Sequence, residues 1–200
     1  MPRKIGPALY VSWATIAIGL SLAAGGLSRE NVTRLLVVAF LLAQVACRGW
    51  LVKALPALSP SSRFVVTGTL LACVVEGFHM ISVPVFGTLR IDRATPFAEG
   101  LRRYALDLAF TVPAYLVIFW VIWSFVRRFR YGTWPYVFGL GLAQALGDGG
   151  LFFFAAAPAM LALVPYPMTN YHAINVIPFL AIRDGLARAP ARASGSSSPR

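Results

Sequence analysis

Between Tyr131 and Ile182 the chain carries no lysine or arginine, and its one acidic residue there is Asp148. A run that long and that apolar needs lipid or other apolar helices around it, with its backbone hydrogen bonds closed internally. The same character recurs along the chain. Apolar runs of about 20 residues fall at roughly 8–27, 33–55, 64–87, 106–126, 135–157 and 171–187. Their length and their lack of alternation favour helices over the short two-sided strands of a barrel. The expected fold class is all-α, a polytopic membrane helical bundle of six transmembrane helices. Composition agrees: 58% of residues are hydrophobic and 12% charged, where a soluble domain carries about 25% charged residues.

The net charge of +11 invites a nucleic-acid reading, but the basic residues fall at the ends of the apolar runs rather than on one patch. With the N-terminus inside, Arg3, Lys4, Arg48, Lys53, Arg63, Arg127, Arg128, Arg130, Arg183, Arg188, Arg192 and Arg200 lie on the cytoplasmic side. Arg29, Arg34, Arg90, Arg93, Arg102 and Arg103 lie on the other. That is 12 against 6 of the 18 basic residues, which the positive-inside rule reads as both termini cytoplasmic. The setting is an integral multi-pass protein, of the endoplasmic reticulum membrane in a eukaryote or the inner membrane in a bacterium. No nucleic-acid partner is expected. The first run, preceded by "MPRK" and followed by "SLAAGG", is read as an uncleaved helix, with a cleaved signal as the alternative.

Residues 1–188 form one transmembrane domain, and 189–200, "APARASGSSSPR" with its flanks, reads as a disordered tail. The stretch 88–104 is a long connector of mixed charge or a lid. The Pro-rich 158–170 joins the last two runs near the membrane interface. Cys47 and Cys73 form no CxxC pattern, so no metal site is expected. With two histidines, no mid-helix lysine and no serine beside a base, the chain offers no di-iron centre, Schiff base or acyl-transfer triad, and no cofactor is expected.

The chemistry is in the polar groups inside the apolar runs. Ionisable residues there face the bundle interior and mark function. Glu76 lies in "LLACVVEGFHM" and Asp148 in "GLGLAQALGDGGLFFFAAAP". Asp107, at the start of its run, is a third acid or a helix cap. Gln144 and Asp148 are four apart and share a helix face, as do Glu76 and His79, three apart. Asn175 lies in the last run. Gln144 and Asn175 bind substrate or bridge helices by hydrogen bonds; His79 and His172 are ligand contacts or packing residues. Trp120, Trp123, Tyr171 and Phe152–Phe154 supply aromatic faces for a cation or for lipid. Gly139, Ala143 and Gly147, at every fourth position, are spaced for close helix approach, and the glycines of "GDGG" read as packing devices.

Three short stretches resemble the emopamil-binding protein family, the sterol Δ8–Δ7 isomerases within the wider EXPERA membrane domain. They are "VVEG" at 74–77, "AQALGD" at 143–148 and "INVIPFLAIRDGL" at 174–186, in the family's order. The similarity spans about 35–188. It implies five helices of an EXPERA-like bundle with one extra N-terminal helix, and a cavity for a sterol, a terpenoid or a cationic amphiphile. Glu76 matches the family's glutamate, and Asp107 is the nearest counterpart of its second acid. The family's histidine corresponds to Ala72 and its tryptophan to Ile174, so the chain departs from the pattern at two functional positions.

Together these features give an expected isomerase of lipid metabolism. A carboxyl in a low-dielectric interior holds its proton, protonates an alkene to a tertiary carbocation, and a second carboxylate removes a different proton. The catalytic candidates are Glu76, Asp148 and Asp107; the substrate-binding candidates are His79, Gln144, Tyr171, Asn175 and Trp120. The alternative is a protein that binds or transports a sterol, a lipid or a cationic amphiphile without chemistry. A homodimer is left open.

Overall fold

The computed structural model describes residues 5–54, 58–129 and 131–188, and the expected tail of 189–200 lies outside them. Among the described residues the chain is all-helical, with no strand. The α-helices in order are α1 Ile5–Gly25, α2 Arg29–Ala46, α3 Arg48–Ala54, α4 Pro60–His79, α5 Phe97–Arg128, α6 Thr133–Ala145, α7 Leu151–Ala156 and α8 Pro165–Arg188. Among the described residues four helices are long and apolar enough to cross a membrane: Ile5–Gly25, Pro60–His79, Phe97–Arg128 and the α6–α7 unit Thr133–Ala156. This is consistent with an integral membrane protein.

The starts follow local chemistry. Ser28 caps α2 by accepting the Asn31 N–H at 3.3 Å, and Ser59 caps α4 by accepting the Ser62 N–H at 3.2 Å. Pro60 stands in the first turn of α4, where its missing N–H costs nothing. Gly26, at φ 55°, ends α1 in the left-handed conformation that glycine adopts without strain.

Helix α8 is the centre of the molecule. It packs against α1, α2, α4 and α6, while α5 leans on α4 from outside. Met168, Ala173, Ile174, Ile177, Phe179, Ala181 and Ile182 are all buried. A helix wrapped by protein need not be apolar enough for lipid, and α8 carries Thr169, Asn170, His172 and Asn175 as well. The main core lies between α2, α4, α5 and α8, around Val37, Phe64, Ala72, Phe119 and Trp123. The Phe64 and Phe119 rings meet edge to face at 6.0 Å. Phe119 lies so close to Gly68 that a Cβ there would enter the ring.

Outside this core the surface is greasy. Val117, Trp120 and Phe125 on α5 and Leu9 and Ile16 on α1 are all exposed, as lipid-facing side chains are. α1 is the most peripheral helix and is held at three polar points, one of them the Ser21 carbonyl, which accepts from Asn31 Nδ2 of α2 at 3.1 Å. The Tyr10 hydroxyl meets His172 Nε2 at 2.5 Å, and Trp13 Nε1 donates to the Ala162 carbonyl at 2.6 Å.

Several boundaries differ from the sequence reading. The second run breaks at Cys47 into α2 and α3. α5 begins at Phe97 rather than near 106, because Glu99 pairs with Arg102 and Arg103 on its own helix, each at 2.7 Å. The connector between α4 and α5 therefore ends at Pro96. α8 begins at Pro165 rather than near 171.

The small-residue stripe also faces another way. Gly139, Ala143 and Gly147 are exposed, and a Cβ on either glycine would meet open space. The close approach is one face over, at buried Gly141 and Ala145, where a Cβ on Gly141 would strike His172 of α8.

Candidate functional site

The quoted glycines break a helix. Between α6 and α7 the chain opens into one widened turn, Leu146–Gly150, with non-helical backbone at Asp148 (φ −84°, ψ 42°) and Gly149 (φ 84°, ψ −10°). Only glycine takes the Gly149 conformation without strain. At Gly150 a Cβ would run into the Ala145 carbonyl. Widened turns inside helices recur at functional sites. Here the turn presents the Asp148 carboxyl, whose Oδ2 accepts a hydrogen bond from the Tyr171 hydroxyl of α8 at 2.6 Å.

Glu76 sits in the last turn of α4 and is partly buried. Its Oε1 accepts a hydrogen bond from the Tyr115 hydroxyl of α5. Two carboxyls from separate helices are thus each held by a tyrosine from a third and a fourth.

Both carboxyls line one cavity of about 510 Å³, within the range of small-molecule sites. Glu76, His79, Tyr115, Asp148 and Tyr171 form its polar wall. Val75, Phe153, Phe154 and Ile174 form its apolar wall. The His79 ring lies against the Asn170 amide.

The other sequence candidates go elsewhere. Asp107 is fully buried within α5, nearly three turns past the start of the helix, and is not an N-cap. Its Oδ1 accepts the Val85 N–H at 2.8 Å and so pins the α4–α5 connector. It does not line the cavity. Gln144 and Asn175 bridge helices: Asn175 Nδ2 donates to Gln144 Oε1 at 2.6 Å and to the Tyr171 carbonyl at 2.8 Å. Neither lines the cavity. Trp120 is 63% exposed on the outer face of α5, beside a separate shallow pocket with Ser61 and Arg127. His172 holds α1 rather than facing the cavity.

Three contributors were missed. Tyr115 lies in an apolar run, where a tyrosine reads as packing. Gln44 of α2 is buried and donates to the Ala173 carbonyl of α8 at 2.9 Å. Arg34, which charge counting set at the non-cytoplasmic end of the second run, lies in the second turn of α2, is 7% exposed and lines the cavity. Its guanidinium carbon stacks 4.5 Å from the centre of the Tyr166 ring. Arg34 sits four residues after Glu30, and a charge near a helix end reads as a membrane flank; that masked it.

Among the described residues no group of three or more His, Cys, Asp or Glu side chains is placed to hold a metal ion. No protein-family model matches the chain, and no curated protein and no solved structure matches it. Among the described residues the coordinates define a helical protein with four apolar helices fit to cross a membrane and a partly open cavity lined by Glu76 and by Asp148, which is exposed.

Proposed function

We propose that the protein is an integral-membrane isomerase of a sterol or terpenoid-like lipid, which moves a carbon–carbon double bond by proton transfer. The observation that carries this reading is the convergence of Glu76 and Asp148, from α4 and from the α6–α7 break, on one cavity of about 510 Å³. Glu76 gives its proton to an alkene carbon, and the neighbouring carbon becomes a tertiary cation. Asp148 removes a proton from a different carbon, and the double bond re-forms one position along. One carboxylate and one carboxylic acid are left with their roles exchanged. A proton passed back from Asp148 to Glu76 resets the pair. Tyr115 and Tyr171 orient the two carboxyls, and the apolar wall keeps out the water that would quench the cation.

The likeness of "VVEG", "AQALGD" and "INVIPFLAIRDGL" to the EXPERA isomerases supports the same chemistry. In this reading Asp148 takes the part of second acid and Asp107 holds the connector. We also assign α2 and α8 as membrane-crossing, giving six spans with both termini cytoplasmic. The polar side chains that lower their apolar character, Arg34 and Gln44 on α2 and His172 and Asn175 on α8, are all buried in the bundle.

A second reading, lipid binding without chemistry, is favoured by two positions. Ala72 and Ile174 stand where the similar family carries its histidine and tryptophan; Ala72 is fully buried and Ile174 lies in the cavity wall. Cells expressing the protein in deuterated water separate the two readings. An isomerase places carbon-bound deuterium in an extracted lipid, and Glu76→Gln abolishes that label. A binder leaves the lipid unlabelled above the vector control.

A further inference from the structure

Arg34 is a buried cation, and among the described residues no carboxylate is in contact with it. Its Nε and Nη1 are shielded from solvent and have no hydrogen-bond partner. Among the described residues the ion pairs are those of Glu99 with Arg102 and Arg103, so no carboxylate lies within 4.0 Å of Arg34. A guanidinium does not shed its proton to escape burial. Burying a charge is costly unless something pairs with it.

The surroundings hold this group in place. Tyr166 carries the guanidinium on its ring face. The Tyr166 hydroxyl donates to Asn31 Oδ1 at 2.6 Å, and Asn31 Nδ2 donates to the carbonyls of Gly26 at 2.8 Å and Ser21 at 3.1 Å. The turn between α1 and α2 thereby fixes the platform under Arg34. With the guanidinium carbon over the ring, Nε and Nη1 are the two nitrogens left for an acceptor. Four carboxyl or imidazole groups bear on this region: Glu30 one turn back on α2, and Glu76, His79 and Asp148 across the cavity. None neutralises Arg34 by contact.

We infer that Arg34 receives the oxyanion head of the molecule that fills the cavity, which makes that ligand an amphiphile bearing a carboxylate or phosphate group. This rests on the reading of the cavity as a lipid site and adds the head-group chemistry to it. The head lies at Arg34 and the apolar body runs along Val75, Phe153 and Ile174 toward Glu76 and Asp148. A cationic head is disfavoured at this end of the cavity, where it would meet the Arg34 guanidinium with no carboxylate in contact.

The test is calorimetric titration of the purified full chain in non-ionic detergent with oleate, oleyl phosphate, oleyl alcohol, oleylamine and inorganic phosphate. The expected result is that oleate and oleyl phosphate bind about tenfold or more tightly than the alcohol, and the amine more weakly than the alcohol. Inorganic phosphate alone is expected to bind far more weakly than oleyl phosphate. Arg34→Met is expected to remove the preference for the acid while alcohol binding persists, and Arg34→Lys to keep part of it. Equal affinity of the wild type for oleate and the alcohol overturns the assignment, with no variant needed. So does an acid preference that survives Arg34→Met, or inorganic phosphate binding as tightly as oleyl phosphate. Glu76→Gln is expected to keep the acid preference. A failed deuterium-labelling experiment with that preference intact removes the isomerase reading and leaves Arg34 as the oxyanion receptor.

Discussion

Tyr171 on the central helix and Asp148 in the α6–α7 break are joined by a 2.6 Å hydrogen bond from the phenol to Oδ2. The bond fixes the carboxyl where the α6–α7 unit leaves helical geometry. Tyr171→Phe removes the donor and keeps the ring. We expect it to cost about 1 kcal/mol of stability and, by letting Asp148 drift, to slow turnover about ten- to a hundredfold. Melting in detergent and deuterium incorporation into lipid measure the two effects separately. A slowed reaction with an unchanged melting temperature is the signature of a positioning residue.

Gly149 supplies the backbone that aims Asp148. Gly149→Ala places a Cβ at φ 84°, a strain of about 1–2 kcal/mol. The expected outcome is a lower melting temperature and a loss of activity equal to or greater than that of Tyr171→Phe. An alanine tolerated on both counts would mean that the widened turn does not position Asp148.

The α6 glycines give a paired stability test. Gly141→Ala drives a Cβ into His172 and is expected to cost about 1–3 kcal/mol. Gly139→Ala meets open space and should gain up to about 1 kcal/mol from helix propensity. Thermal unfolding of the two variants side by side checks which face of α6 packs on α8.

Asp107 separates structure from chemistry. Asp107→Asn keeps an oxygen able to accept the Val85 N–H, and is expected to leave turnover within a few-fold of wild type. Asp107→Leu loses that bond in a fully buried place, and is expected to cost about 1–3 kcal/mol. A loss of all labelling in Asp107→Asn with an unchanged melting temperature would instead return Asp107 to the reaction.

Much of this arrangement is legible in the sequence because charge in an apolar run is so costly that its place is informative. Glu76 and Asp148 stand out on that ground alone, and both face the cavity. Tyr171 reads in the sequence as an aromatic face for a cation, not as the hydroxyl that holds Asp148. Tyr115 does not stand out, since nothing in "VPAYLVIF" distinguishes a hydrogen-bonding tyrosine from a packing one. Trp120 shows the converse, an aromatic that the helix turns outward. Spacing marks which residues share a face but not which way the face points. Gly139 and Gly141 exchange roles for that reason. Arg34 is hidden by the topology rule itself, which counts basic residues near helix ends as flanks. The start of α5 is hidden because Glu99, Arg102 and Arg103 satisfy one another within the helix.

The most direct test of the account is photolabelling with a long-chain fatty acid that carries a diazirine midway along its tail, followed by peptide mapping. The expected adducts fall on Glu76 in α4 and on Asp148 in the 146–150 turn, both competed away by excess unlabelled oleate. Adducts confined to the outer faces of α1 and α5, at residues such as Ile16 and Trp120, and insensitive to competitor, would contradict a shared interior cavity.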